Sequence, residues 1–170
     1  MLVVALLVIF GTRAGIAQTD DPDSAPPPVK LIPKEEKTQL AGESNLKDRT
    51  KMALTLMEAH LAAAEKLSSA GDATGTFREL GSFEALIDDS LDVLHRGDPT
   101  SGRVLDSFRK LEIGLRGFMP RLETVRRGLP LECDEYVRYL MHSLRDARAK
   151  AVDPLFGDNV VPSASSRHND

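Results

Sequence analysis

LKDRTKMALTLMEAHLAAAEKLSSAGD, residues 46–72, carries Leu46, Thr50, Ala53, Met57, His60, Ala64 and Leu67 at spacings of three and four, and it stops at Gly71. That period marks one face of an α-helix, which Leu54 and Leu61 widen. Ser44 or Asn45 can cap its start, because a short polar side chain accepts from the first unpaired amides. Beyond the Gly71-Asp72 turn a second stripe runs through Leu80, Phe83, Ile87, Leu91 and Leu94, ending at Gly97 ahead of Pro99. The two stripes predict a tight hairpin of helices over 44–70 and 73–96.

Two further segments repeat the pattern. Val104, Phe108, Leu111, Leu115, Phe118, Leu122 and Val125 alternate spacings of four and three over 100–128 and close at Gly128. The seam runs past Pro120, whose ring clashes with the carbonyl of Arg116, so a bend within a continuing helix is expected. Over 130–152, Pro130 stands in the first turn and Cys133, Val137, Leu140, Leu144, Ala147 and Ala151 share a face, with Pro154 and Gly157 beyond. Leu155 and Phe156 are expected to fold back as a cap. One-sided stripes joined by short connections predict an all-α, antiparallel up-down four-helix bundle over 44–157.

Composition agrees with helices. The chain has 170 residues, 41% of them hydrophobic, with no Trp, two Tyr and six Phe, so its core rests on aliphatic side chains. The start, MLVVALLVIFGTRAGIAQ, reads as a secretory signal at 1–17. An apolar run from Leu2 to Phe10 precedes small residues around Gly15 and Ala17, although no Lys or Arg stands before the run. Cleavage after Ala17 is expected. The run is too short to span a bilayer, which takes about 20 apolar residues. Gln18 rather than a lipid-accepting Cys would follow, so the expected protein is secreted or periplasmic, with no stable membrane insertion. Cleavage removes Arg13 and no acid, moving the formal charge from -4 to -5. Such a balance gives no general attraction to nucleic acid or anionic lipid.

Residues 18–43 hold prolines at 22, 26, 27, 28 and 33, which favour extended, solvated backbone. A disordered Pro-rich N-terminal arm is expected there, with a polyproline ligand as its alternative use. Residues 158–170 are polar and aperiodic, a flexible tail carrying His168.

Within 46–94, the E-x-H-L-x-x-A-E spacing of an Arg- and Ala-rich first helix, the Gly-Asp turn and the aromatic-Glu pair opening FEALIDDSLDVL resemble the helical hairpin of an uncharacterised bacterial exported domain family. The resemblance covers less than a third of the chain and implies a packing pattern, with no activity, cofactor or site residue to carry over.

DDSLDVLH, residues 88–95, is the densest chemical stretch. At 100° per residue Asp88, Asp92 and His95 share a helix face that Glu84 joins, at the edge of the apolar stripe or outside it. The two readings are a weak metal site at Asp88, Asp92 and His95 and a solvated acidic flank. A bundle metal centre draws ligands inward from several helices, and only one Asp-x-x-His pair is present, which favours the flank. The flank also has an electrostatic use: acids at 79, 84, 88, 89 and 92 face seven Lys and Arg over 100–128, so these two helices are expected as charge-complementary neighbours. His60 lies on the first apolar stripe, as a partly buried imidazole with one hydrogen bond, and His142 is expected at the surface. Cys133, the sole cysteine, excludes an internal disulfide and is expected as a small buried residue, with a reactive thiol as the alternative.

No catalytic constellation and no cofactor motif emerges. The expected function is that of an exported bacterial protein of the cell envelope, non-enzymatic, acting through contact with a protein partner. The alternative is a periplasmic bundle binding a metal ion or small ligand.

Overall fold

A computed structural model of the protein describes residues 28–156. The expected leader, the first residues of the arm and the tail at 158–170 lie outside the described residues. The described chain is all-α. In order it forms α1 (Lys34–Gly42), α2 (Leu46–Ser69), α3 (Ala73–His95), α4 (Gly102–Arg116), α5 (Phe118–Gly128) and α6 (Asp134–Val152), with short 3-10 turns at Leu131–Cys133 and Asp153–Phe156.

The hairpin that decides the fold is built as its residues dictate. Asn45 caps α2 by accepting from the amides of Lys47 and Asp48 at 3.0 and 3.4 Å. At the other end Gly71 adopts φ +77°, the left-handed conformation that lacks a Cβ penalty only for glycine. The amides of Gly71 and Asp72 then turn back onto the carbonyls of Ser68 and Leu67, closing the helix end. Asp72 immediately caps α3, accepting from Gly75 N at 2.8 Å. So α3 returns along α2 with no slack.

Around this hairpin, α2 packs on α3, α4 and α5, while α6 packs on α3, α4 and α5 from the other side. The periodic positions meet in the middle. Every expected stripe residue of the third and fourth segments is buried, as are Leu80, Phe83, Ile87, Leu91 and Leu94 of α3. Leu155 packs against this core from the last 3-10 turn, whereas Phe156 stays 68% exposed and does not cap it.

The structure corrects the expected helix boundaries in three places. The rod expected over 100–128 is two helices that break at Gly117. Pro120 has no amide to return to the Arg116 carbonyl and its ring crowds that carbonyl, so the turn before it gives way at the glycine. The helix expected from 130 begins with the 3-10 turn, which leaves Cys133 at the head of α6.

The third correction is the arm: residues 28–33 lie across α3, and 34–42 form α1 against α2. The crossing is close. A Cβ on Gly81 of α3 would collide with the carbonyl oxygen of Val29, so glycine is what lets the arm approach. Ser82 Oγ donates to the Leu31 carbonyl at 2.9 Å, Arg49 Nη1 donates to the Leu40 carbonyl at 2.6 Å, and Leu40 is itself buried. Polar contacts therefore give the prolines a surface to lie on.

The charge pairing also differs from expectation. Arg121 of α5 reaches Glu58 and Glu65 of α2, Arg126 reaches Asp134 of α6, and Arg148 of α6 lies 3.0 Å from Glu112 of α4. The acids of α3 pair elsewhere, Asp89 with Arg49 at 2.6 Å and Asp88 with Lys30 at 3.1 Å. Helices α2 and α6, along which the basic segment packs, each carry more Lys and Arg than Asp and Glu, so single ion pairs join them rather than helices of opposite charge.

Three carboxylates, Glu65 of α2, Glu112 of α4 and Glu123 of α5, give the fold an acid limit. The hydrogen bonds of Arg121 hold Glu65 below its ordinary value against the opposing effect of burial. Those of Arg116, then Arg148, do the same for Glu112, and Arg126, then Arg127, hold Glu123 down at about 2. A carboxyl depressed in the folded state binds fewer protons there than when unfolded. Its contribution is complete above the unfolded value and is lost as pH falls through the folded one. The thermal midpoint, followed by circular dichroism, should therefore decline as pH drops from 4.5 toward about 2. An unchanged midpoint at about pH 3 would contradict these pairings.

Candidate functional site

The arm does more than decorate α3, because it walls a cleft of about 650 Å³. Pro28, Val29, Leu31 and Pro33 form one side and Ala73 and Phe77 of α3 the other. The 3-10 turn before α6 contributes Cys133, and His60 and Glu79 stand at the polar end with Arg78 and Ser82 nearby. Val29 is 79% exposed and Leu31 64% exposed, so the rim offers apolar surface to solvent.

His60 is the most constrained polar group of the cleft. It projects from the buried face of α2 and is 8% exposed. Its Nδ1 lies 2.8 Å from Glu79 Oε2 of α3 and its Nε2 lies 3.0 Å from Glu36 Oε2 of α1. An ionised carboxylate only accepts, so both contacts are hydrogen bonds only when both ring nitrogens carry hydrogen, as in the imidazolium form. Arg78 Nε lies 3.3 Å from the other oxygen of Glu79. Both ring nitrogens are thus occupied by carboxylates of two different helices. Burial, then the charge of Glu132, pushes the Cys133 thiol up, against formation of the thiolate that nucleophilic or metal-binding chemistry uses.

A second buried carboxylate anchors the arm from beneath. Glu84 is 1% exposed, with Oε1 2.9 Å from Lys30 Nζ and Oε2 3.3 Å from the Tyr136 hydroxyl that donates to it. Burial lowers the Lys30 ammonium, but the hydrogen bonds and charges of Glu84 and Asp88 outweigh it and hold Lys30 above its ordinary value. Burial, then the Glu84 charge, pushes the Tyr136 phenol up, so it stays a donor.

The stretch 88–95 is placed differently from the cleft. Asp88, Asp92 and His95 are exposed and share a face, which lines an open groove of about 530 Å³ with Leu91 and Lys150. Glu84 does not join them, because the arm and Tyr136 cover that edge of α3. His95 Nδ1 donates to the Leu91 carbonyl at 2.7 Å, and its ring stands edge-on to Phe108. Asp88 is taken by Lys30. Among the described residues no three His, Cys, Asp or Glu side chains are placed to hold a metal ion. His142 is at the surface, 3.1 Å from Asp146.

His60 proves to have two partners, and Glu36 escaped notice because 18–43 reads as a proline-rich arm. A signal was there: Pro33 followed by Glu35 and Glu36 and then Leu40 is a helix start with acids in its first turn. The chain matches no known protein-family model, no curated protein and no solved structure.

Proposed function

We propose that the chain is an exported bacterial protein of the cell envelope that acts by protein contact, and that the cleft under residues 28–33 receives an apolar stretch of its partner. In this reading α2, α3, the α4 and α5 pair, and α6 are the four rods of an antiparallel up-down bundle, with α1 strapped to its flank. The Leu2 to Phe10 run and the small residues at 15 and 17 support export.

The observation that carries the contact role is the cleft itself. Binding sites commonly enclose about 300 to 1,000 Å³ of mainly apolar surface with a few convergent polar groups. This one has that size, with mainly apolar walls and with His60 and Glu79 among its lining, Glu36 bonding His60 from behind. Its exposed Val29 and Leu31 are surface that a partner would cover. Non-enzymatic action is favoured because the imidazole has no free nitrogen and the thiol is held protonated. The same volume also suits a small apolar ligand, which is the second reading.

A photo-crosslinking residue at Thr74, on the cleft, should give one discrete protein adduct in the native envelope, and the same residue at Lys51, exposed on α2, should not. Ala73→Glu should remove the adduct, since it puts a charge in the apolar wall while an acid in the first turn of α3 suits the helix dipole. An adduct indifferent to Ala73→Glu, or none from Thr74, would refute the protein-contact role. A small molecule retained in native mass spectrometry would establish the second reading instead. The exported chain should begin at Gln18, which N-terminal sequencing checks.

A further inference from the structure

Pro28, Val29, Leu31 and Pro33 line the cleft and the chain continues as α1; Leu40 enters the core, Ile32 packs against it, and the other attachments of 28–42 are polar. Leu40 is the one buried residue of α1, and nine residues of helix are too few to persist in water unaided. At the front, Lys30 pairs with Glu84 and Asp88, and Ser82 holds the Leu31 carbonyl. At the back, Arg49 bridges the Leu40 carbonyl and Asp89. Between them stands the contact of Glu36 with His60. A segment held to the core by only Leu40 and Ile32 sits toward the low end of the local opening scale, where losing one charged hydrogen bond shifts the balance.

We propose that residues 28–42 are a strap over the cleft whose grip is set by the protonation of His60. With hydrogen on both ring nitrogens the imidazole bridges Glu79 of α3 to Glu36 of the strap, and the strap is closed. With one proton lost the ring keeps a single donor, and whichever carboxylate it does not serve faces a nitrogen lone pair. Glu79 is fixed in the middle of its helix turn and holds Arg78, whereas Glu36 rides on the movable strap, so Glu36 is the contact that yields.

The groups that face His60 are Glu36 from α1 and Glu79 from α3, with Arg78 behind Glu79 and Cys133 across the cleft. Lys30 and Arg49 anchor the two ends of the strap. This regulation rests on the reading of the cleft as the contact surface, and it makes entry easier as the surroundings become less acidic.

Amide hydrogen exchange on the purified chain, with no partner present, tests it. The protection factor of a peptide covering 34–42 should fall about tenfold or more between about pH 5.5 and pH 8, as expected for loss of a charged hydrogen bond. A peptide from α6 should hold its protection, which separates strap release from unfolding. His60→Gln has no proton to gain and should be as loose as the wild type at the higher pH, without pH dependence. Glu36→Gln, whose amide can donate or accept, should also abolish the dependence, and it decides the matter alone if His60→Gln fails to fold. Equal wild-type protection at both pH values, or a slope that survives Glu36→Gln, would overturn the strap mechanism. Failure here leaves the Thr74 crosslink standing, and the reverse holds too.

Discussion

Phe83→Ala should lower the unfolding free energy by about 3 to 5 kcal/mol, the usual cost of emptying a closed aromatic site. Phe83 is 0% exposed and its ring meets Phe118 edge-on, centroids 5.3 Å apart at 80°. Phe118 opens α5 just past the break at Gly117, so this pair ties the returning arm of the hairpin to the bent helix on the far side of the core. Domains of this size have a total stability of about 5 to 15 kcal/mol, so the single change would consume a large share of it. In urea the midpoint should fall with an unchanged slope, and the thermal midpoint should drop by about 10 °C or more. Pairing the change with Phe118→Ala should show a coupling of about 0.5 to 1.5 kcal/mol from the edge-to-face contact. A loss under about 1 kcal/mol would mean that α3 and α5 do not meet this way.

Phe83 was legible from spacing alone, as were the other seam positions, because burial of one helix face repeats every three to four residues whatever the partner helix is. Gly71 and Asp72 were legible too, since a left-handed glycine followed by a capping acid acts through the backbone within one turn. What escaped depends on contacts distant in the chain. The pattern from 18 to 43 is dominated by prolines, and what orders 28–42 is supplied by Gly81, Ser82, Glu84, Asp88 and Arg49, residues 9 to 58 positions away. The charge surplus of 100–128 points to α3 as its neighbour, whereas α4 and α5 pack mainly on α2 and α6 and meet them through single ion pairs that composition does not show. The break at 117 rather than a bend at 120 follows from a glycine lying one residue beyond the carbonyl that Pro120 deprives. The stretch 88–95 stands out by residue type, whereas His60 reads as an imidazole with one hydrogen bond, because a single imidazole on an apolar stripe gives no hint that two carboxylates from other helices converge on it.

Glu84 shows the same limit and gives the second large effect. Helical geometry puts it one turn from Asp88 and on the same flank, yet Asp88 is exposed and Glu84 is sealed beneath Lys30 and beside Tyr136. Removing a buried carboxylate that has two partners should cost more than an exposed one, because the partners remain. Glu84→Ala leaves the Tyr136 hydroxyl without its acceptor and Lys30 with Asp88 alone. Lys30 is 40% exposed, so solvent screens its share, and the expected loss is about 2 kcal/mol rather than the larger figure of a fully sealed pair. Glu84→Gln keeps an acceptor for Tyr136 and should cost roughly half as much. Tyr136→Phe removes only a 3.3 Å hydrogen bond and should cost about 1 kcal/mol or less, with Glu84→Ala adding less in that background than in the wild type. Urea midpoints for the three variants give the ranking. Hydrogen exchange over 28–33 should rise in Glu84→Ala and stay near wild type in Tyr136→Phe, because only the first change touches the strap. If Glu84→Ala left both stability and exchange unaltered, Lys30 would not be anchored where the structure puts it, and the arm would have no fixed front edge.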